Sequence, residues 1–312
     1  MRASATRRKR SATASMTGRA AVRPTVRPVA RAGVALLTTA AVLSVSGCFS
    51  SSDSPSRQGP SRGGKSPHAK PRVVWNTSPD SLASLGDSIT RGFDACSVLS
   101  DCPEVSWSTG KEVNSLAQRL RSTTSSWNFA KTGAVMDDLP AQVTAAVARK
   151  PQLVTVMIGA NDACRASVSD MTSPEEFRTT FTSALTKLRR ELPKTQVYVA
   201  SVPDLKRLWS EGRKNVLGKQ IWKLGICPSM LKDSDALDAA SMDRRRQVAQ
   251  RVKSYNKVLK DVCGRDELCR YDPAVHNYRF TTRELSKWDW FHPSKAGQQR
   301  LAAMAYRRIS AP

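Results

Sequence analysis

Three side chains that lie far apart in the sequence have the chemistry of a nucleophile and its activating base. Ser88 follows Gly86-Asp87, and His292 follows Asp289 by three residues. A serine hydroxyl is a weak nucleophile unless a base within hydrogen-bonding reach takes its proton. A carboxylate three residues before a histidine can accept from the imidazole Nδ1 and leave Nε2 free as the base. The pattern predicts Ser88 as nucleophile, His292 as general base and Asp289 as the carboxylate that orients it.

Two other segments supply hydrogen-bond donors of the kind that such a nucleophile needs. Gly133 can bring a bare backbone N–H close to a ligand. Asn161, in Gly159-Ala160-Asn161-Asp162, offers a side-chain amide. Donors of this kind stabilise the oxyanion that forms when a hydroxyl attacks a carbonyl. Glycine and asparagine are also common in turns, so each of the two residues has a purely structural explanation as well.

The segments that must position these residues alternate between strand-like and helix-like patterns, which predicts βαβ units and a parallel sheet. Strands are predicted at 81–85, 127–130, 153–158 and 196–201, and helices at 113–120, 139–148, 174–192, 236–262 and 295–309. Residues 203–235 are predicted to form a long irregular excursion with at most a short helix. Ser88, Gly133 and Asn161 each follow a predicted strand, and the carboxyl ends of parallel strands share the edge of the sheet where ligands bind.

Taken in order, Gly-Asp-Ser, the block around Gly133, Gly-x-Asn-Asp and Asp-x-x-His resemble the four signature blocks of SGNH (GDSL-type) hydrolases. The resemblance covers about residues 82–306. It implies a flavodoxin-like three-layer α/β/α sandwich with five parallel strands, and ester hydrolysis with neither metal nor cofactor. It also implies an oxyanion hole made of the Ser88 and Gly133 N–H groups and the Asn161 side chain. Asp87 and Asp162 match the motifs and are expected to brace loops.

A narrower resemblance concerns the substrate. Segments 128–142, 159–164 and 288–294 are similar to the phospholipase B-like branch, which implies an acyl lipid such as a phospholipid or lysophospholipid. A carbohydrate deacetylase with the same machinery stays open, as does a non-catalytic surface-binding lipoprotein. Aromatic side chains are candidates for an apolar acyl groove, with core packing as the alternative: Trp209, Trp222, Trp288, Trp290 and Phe291.

The beginning of the chain has the layout of an export signal. The first 47 residues carry nine Lys or Arg and no acidic residue, and an uncharged, mostly small or apolar run of 14 residues, 32–45, leads into Val45-Ser46-Gly47-Cys48. We predict a lipoprotein-type signal peptide at 1–47, lipidation of Cys48, a tether at 48–72 and a hydrolase domain at 73–312. The protein would then be exported and either anchored to the membrane facing outside or secreted. An ordinary signal peptide and a start at Met16 are the open alternatives.

Seven cysteines leave six once Cys48 is set aside. Six cysteines allow 15 connectivities. Nearest-neighbour pairing predicts Cys96–Cys102, Cys164–Cys227 and Cys263–Cys269. A zinc site is the alternative, although no pair has the two-residue spacing of structural zinc ligands.

The net charge indicates which partners the chain could bind, and the two remaining histidines have no predicted catalytic role. The formal net charge is +24, of which the first 47 residues contribute nine and residues 48–72 four, so about +11 remains from Val73 onward. An anionic surface such as phospholipid headgroups is one partner for this charge, and a solvated cationic face is the other explanation. No motif for nucleic acid accompanies it, and we expect a monomer. His276 and His68 have no carboxylate three residues before them, and we expect them to be structural and inert, respectively.

Overall fold

The computed structural model describes residues 74–121 and 123–312. The predicted signal peptide, Cys48 and the whole tether lie outside the described residues, so these remain predictions. No helix in the described part of the chain is both long and apolar enough to cross a membrane.

A five-stranded parallel sheet forms the centre of the domain. The strands are β1 (Ser81–Gly86), β2 (Ser125–Asn128), β3 (Leu153–Met157), β4 (Gln196–Ala200) and β5 (Cys269–Asp272). They pair in the order β2-β1-β3-β4-β5, all parallel. Every residue of β3 and β4 is buried, as expected for inner strands that are covered on both faces. The predicted flavodoxin-like α/β/α fold is confirmed.

The two edge strands show where the sequence pattern was insufficient. The strand predicted at 127–130 lies two residues earlier, because β2 begins with the exposed Ser125 and Ser126, which carry no apolar signal. β5 was predicted only through the family resemblance. Its sequence, Cys-Arg-Tyr-Asp, is short and polar, and only Asp272 in it is fully buried.

The helices are α1 (Ser88–Arg91), α2 (Leu116–Leu120), α3 (Leu139–Val147), α4 (Ala160–Ala163), α5 (Pro174–Glu191), α6 (Leu205–Gly212), α7 (Val216–Trp222), α8 (Pro228–Leu231), α9 (Ala239–Cys263), α10 (Ala274–Asn277) and α11 (Lys295–Ser310). Helices α3, α5 and α9 pack together as one layer, and α2 and α11 pack together as the other. Short 3-10 turns stand at Pro103–Val105 and Met136–Asp138.

Local signals account for the ends of several helices. The capping box that begins α5 is formed as its sequence predicts, with Ser173 Oγ accepting from Glu176 N at 3.1 Å and Glu176 accepting in return from Ser173 N at 3.0 Å. Helix α2 is shorter than the predicted 113–120. Ser115 N donates to Val113 O in a tight turn, so the helix begins only after Ser115, at Leu116.

The stretch 203–235, predicted as an irregular excursion with at most a short helix, contains three short helices, α6, α7 and α8. The apolar side chains of this stretch are spaced too irregularly to predict one long helix. Two of the helices nevertheless begin at residues with a capping side chain, Asp204 before α6 and Asn215 before α7. The disulfide from Cys227 to Cys164 ties this stretch to the end of α4. Disulfides Cys96–Cys102 and Cys263–Cys269 complete the nearest-neighbour pairing.

Candidate active site

The end of β1 is built to present Ser88 at the carboxyl edge of the sheet. Gly86 has φ +150°, and a Cβ on it would lie 2.2 Å from the Met157 carbonyl oxygen, so only glycine fits there. The Gln142 amide brackets the same peptide, accepting from Gly86 N at 2.7 Å and donating to Gly86 O at 2.9 Å. Asp87 then caps α1 by accepting from Ile89 N at 3.0 Å. Ser88 is thereby fixed as the first residue of α1.

Ser88, His292 and Asp289 form one chain of hydrogen bonds. Ser88 Oγ lies 3.0 Å from His292 Nε2, and His292 Nδ1 lies 2.5 Å from Asp289 Oδ2. The other oxygen of Asp289 accepts from the N–H groups of Phe291 and His292, both at 3.0 Å. A carboxylate that faces Nδ1 favours a proton on that nitrogen, which leaves Nε2 as an acceptor for the serine proton. This is the geometry of an activated serine.

Other contacts hold the loop that carries the histidine. Trp222 Nε1 donates to the Asp289 carbonyl at 2.6 Å. Ser286 N donates to the His292 carbonyl at 2.7 Å. The ring of Phe93 meets the imidazole edge-on, with ring centroids 5.0 Å apart. The orientation of His292 is therefore fixed from several sides.

Buried charge sets the protonation of the pair. Burial alone would lower the pKa of His292, but the carboxylates of Asp289, Asp94 and Asp87 together raise it above 6.5. Burial opposes ionisation of Asp289 as well, yet the charge of His292 and the hydrogen bonds from it and from two backbone N–H groups hold the pKa of Asp289 below 3.8. The site thus keeps Asp289 ionised while it favours a proton on His292.

Asp94 is a residue of this site that the sequence analysis missed. Its side chain is fully buried, and its carboxyl oxygen, a carboxyl oxygen of Asp289 and a ring nitrogen of His292 lie within 4.8 Å of one another. One oxygen accepts from Leu99 N, whereas no N–H or O–H donor of the described residues faces the other. Burial and the neighbouring Asp289 raise the pKa of Asp94 to about 7. The residue type of Asp94 fits its left-handed backbone, φ +57°, which aspartate tolerates better than most residues, but nothing in the neighbouring sequence indicates a place in the site.

Gly133 and Asn161 face the same cleft as Ser88 and His292. Gly133 has φ +83°, a conformation that favours glycine. Neither the Ser88 N–H nor the Gly133 N–H has an acceptor among the described residues, so both are available to a ligand. Asn161 Nδ2 donates one of its two protons to Ala134 O at 3.0 Å, which fixes the amide and leaves the second proton available.

The two motif aspartates, Asp87 and Asp162, accept hydrogen bonds from backbone N–H groups and so fix the loops. Asp162 is fully buried and accepts from Met136 N at 2.9 Å, which ties the loop after β3 to the loop after β2. Burial raises the pKa of Asp162, and burial raises that of Asp87 to about 7. His276 Nδ1 lies 3.1 Å from Val202 O, a structural contact outside the cleft lining.

The cleft beside Ser88 has a volume of about 200 Å³ and a largely apolar lining. Its large apolar side chains come from four parts of the chain: Ile89, Phe93, Leu205, Leu208, Ile226 and Phe291. Of the aromatic residues predicted for an acyl groove, only Phe291 lines it. Trp209 and Trp222 are buried in the core, and neither Trp288 nor Trp290 reaches the cleft. The excursion 203–235 supplies part of the wall instead.

Two groups of potential metal ligands occur among residues 74–121 and 123–312. The first contains Cys96 and Cys102, whose sulfurs are joined in a disulfide and so are not thiolates. The second is Asp94, Asp289 and His292, where Nδ1 of the histidine is already engaged by Asp289.

A protein-family comparison agrees with this site. Residues 82–304 match the model of the GDSL-like Lipase/Acylhydrolase family, and the chain belongs to that family. The protein is therefore an enzyme that acts on carboxylic ester bonds. A comparison with curated proteins gives no match.

Three solved structures are similar to this chain at low sequence identity. An acetyl-xylooligosaccharide esterase from Geobacillus Stearmophilus, in a mutant form, is 18% identical with a TM-score of 0.49, covering 77% of this chain and 97% of its own. Phospholipase A1 from Streptomyces albidoflavus is 19% identical with a TM-score of 0.47, covering 75% and 100%. A family two carbohydrate esterase from Clostridium thermocellum, in complex with cellohexaose, is 17% identical with a TM-score of 0.43, covering 73% and 63%.

Proposed function

We propose that the protein is an exported serine ester hydrolase that cleaves acyl lipids, with phospholipids or lysophospholipids as the substrate class. Ser88 is its nucleophile, His292 its general base and Asp289 the orienting carboxylate. The observation that carries this proposal is the unbroken chain of contacts at 3.0 Å and 2.5 Å from Ser88 Oγ through His292 to Asp289.

The reaction follows from the positions of the donors and acceptors. Ser88 Oγ attacks the ester carbonyl carbon as its proton passes to His292 Nε2. The oxyanion accepts hydrogen bonds from the N–H groups of Ser88 and Gly133 and from Asn161 Nδ2. His292 then gives the proton to the departing alcohol, which leaves an acyl group on Ser88. Water, deprotonated by the same nitrogen, releases the fatty acid and returns the proton to Ser88.

The lining of the cleft supports an acyl chain as the group that it accepts. The side chains of Phe93, Leu208, Ile226 and Phe291 offer apolar surface next to Ser88, and His292 is the only ionisable side chain of the described residues that lines the cleft. Burial of apolar surface contributes roughly 0.8 kcal/mol for each methylene of the substrate. A longer acyl chain should therefore be favoured over acetyl.

A series of nitrophenyl esters from acetyl to palmitoyl, followed by phosphatidylcholine and lysophosphatidylcholine, tests the substrate class. The proposal expects kcat/KM to rise with acyl length and free fatty acid to be released from both lipids. Activity confined to acetyl esters would indicate a carbohydrate deacetylase instead. No turnover of any ester by the folded protein would indicate a binding protein. Ser88→Ala serves as the blank throughout.

Export and membrane anchoring rest on the sequence of residues 1–48 and on the three disulfides, since disulfides persist in oxidising compartments. Growth of a bacterial host with radiolabelled palmitate should label the protein, and Cys48→Ser should abolish the label. An unlabelled wild-type protein in the culture medium would favour an ordinary signal peptide and secretion.

A further inference from the structure

Exposed apolar side chains concentrate beside the cleft. Seven large apolar side chains are exposed among the described residues, and three of them, Val216, Leu217 and Leu224, fall within nine residues of one another. Their exposed fractions are 70%, 56% and 67%. Single exposed apolar residues are ordinary, whereas a local cluster indicates an interaction surface. We call residues 213–232, which contain these three, the rim segment.

Helix α7 holds its apolar residues outward because its other face is fixed. Gly218 and Trp222 are buried, and a Cβ on Gly218 would lie 2.8 Å from the Trp290 ring. The helix therefore packs closely on the loop of the catalytic histidine with one side. Val216 and Leu217 remain on the side that faces solvent.

The rim segment is also part of the cleft wall. Gly225 and Ile226 line the cleft directly after the exposed Leu224. Cys227 lines it too and is bonded to Cys164, the residue that follows α4 and that also lines the cleft. A surface that contacts the rim segment would thus lie next to the opening above Ser88.

The charge of the rim segment is of one sign. Residues 213–232 contain five Lys or Arg and no acidic residue. Lys219 pairs with Asp235 at 2.7 Å, outside the segment. Lys214, Lys223 and Lys232 are exposed, and none of them has a carboxylate partner among the residues described. Unpaired lysines around exposed leucines are complementary to anionic headgroups over an apolar interior.

We propose that the rim segment docks the enzyme on an anionic phospholipid surface, with Val216, Leu217 and Leu224 inserted and Lys214, Lys223 and Lys232 at the headgroups. This inference rests on the proposed lipid substrate and adds how that substrate is reached. Docking at this place brings the cleft to the interface, so that a lipid need not leave the bilayer fully before its ester meets Ser88. A second copy of the chain is the competing occupant of this surface. Two rim segments would repel each other, because each carries only positive charge, and this disfavours such a dimer.

Sedimentation with vesicles of phosphatidylcholine, with and without phosphatidylglycerol, tests the docking surface. The protein carries Cys48→Ser throughout so that lipidation cannot anchor it. Binding to the anionic vesicles should exceed binding to neutral vesicles by at least tenfold and should fall as salt rises from about 0.1 M to about 1 M. Equal binding to both vesicles, or none to either, would overturn the proposal.

Two sets of substitutions locate the surface. Val216→Ser, Leu217→Ser and Leu224→Ser together should weaken vesicle binding at least tenfold, as should Lys214→Gln, Lys223→Gln and Lys232→Gln together. The matched controls are Val74→Ser, exposed before β1, and the triple variant Lys150→Gln, Lys194→Gln and Lys260→Gln, exposed and outside the rim segment. The controls should bind like the unsubstituted protein. Rim variants that bind within twofold of it would place docking elsewhere.

Turnover of a soluble nitrophenyl butyrate separates docking from folding and from the proposed substrate. The rim variants should keep this activity while losing at least tenfold on vesicle phospholipid. Vesicle binding without any hydrolysis of lipid would preserve the docking surface and remove the proposed substrate. Lipid hydrolysis in detergent without vesicle binding would preserve the proposed substrate and remove the docking surface. Concentration-dependent dimers in ultracentrifugation that the apolar rim variant abolishes would assign the surface to a second copy.

Discussion

The carboxyl groups of Asp94 and Asp289 lie side by side, fully buried, next to the ring of His292. Two like charges this close in a buried site are not both easily ionised. Asp289 has the hydrogen bonds and the histidine, so its pKa falls, and the pKa of Asp94 rises to about 7. A neutral Asp94 can donate a hydrogen bond to Asp289, and above about pH 7 it adds a second negative charge beside the base.

Asp94→Asn should move the pH profile of the enzyme. His292 must be neutral to act as base, so kcat/KM falls as pH drops through its pKa, which Asp289, Asp94 and Asp87 raise. Loss of the Asp94 charge should lower that pKa and shift the acidic limb to lower pH. A pH profile of kcat/KM measures the shift, with Asp243→Asn on the exposed face of α9 as the control. An unchanged limb in Asp94→Asn would remove Asp94 from the electrostatics of the site.

The same substitution should stabilise the fold at high pH. Asp94 keeps its proton in the folded state up to about pH 7, whereas the unfolded chain releases it near 3.8. The folded state therefore loses stability as pH rises through this window. Asp94→Asn should raise the free energy of unfolding at pH 8, by an amount on the order of 1 kcal/mol, and change it less at pH 4. Urea unfolding at both pH values measures this, and a loss of stability at pH 8 would contradict it.

Asp289→Asn should reduce turnover far more than it alters the structure. An amide at this position can donate to Nδ1 and so favours the tautomer with its proton on Nε2, where it cannot accept from Ser88. Comparable triads lose about 10⁴ in kcat on this change. Steady-state kinetics with a soluble ester measures it, and circular dichroism checks the fold. A loss of less than about tenfold would mean that Asp289 does not set the tautomer.

Asn161→Ala should lower kcat by about a hundredfold or more, because one donor to the oxyanion is lost. KM should change little, since the hydrogen bond strengthens in the transition state. The amide also donates to Ala134 O, so thermal unfolding of the variant must be measured in parallel. A variant that retains wild-type kcat would exclude Asn161 from the oxyanion hole.

Loss of the disulfide between Cys164 and Cys227 should destabilise the domain more than loss of either short one. It closes a loop of 63 residues and would contribute about 4 kcal/mol on the loop-entropy model, against about 2 for a six-residue loop. Double alanine variants of this pair and of Cys263 with Cys269 allow the comparison by urea unfolding. Equal losses for the two variants would show that loop length does not govern the effect.

The sequence predicted most of the fold because inner strands and capped helices carry local patterns. The apolar runs at β3 and β4 and the capping box at Ser173 can be recognised without tertiary information. Edge strand β5 could not be placed in this way, since Cys-Arg-Tyr-Asp is only four residues long and contains no aliphatic side chain.

The residues of the candidate site likewise differ in whether local sequence was enough to predict them. Ser88, His292 and Asp289 were found because chemistry restricts residue type and spacing. Asp94 was missed because its relation to Asp289 exists only after folding brings two residues nearly 200 positions apart together. Of the two explanations for the aromatic residues, core packing holds for Trp209 and Trp222, and the cleft lining holds only for Phe291; composition near a motif does not show which aromatic side chains the core buries.

Covalent labelling with a fluorophosphonate tests the central claim most directly. The reagent reacts with a serine only when a base and an oxyanion site activate it, so the folded wild type should carry one label on the peptide that contains Ser88. Ser88→Ala should remain unlabelled, His292→Ala should label much more slowly, and Ser254→Ala on α9 should label like the wild type. No label on the folded wild type, or equal labelling of Ser88→Ala, would contradict the assignment of Ser88 as nucleophile.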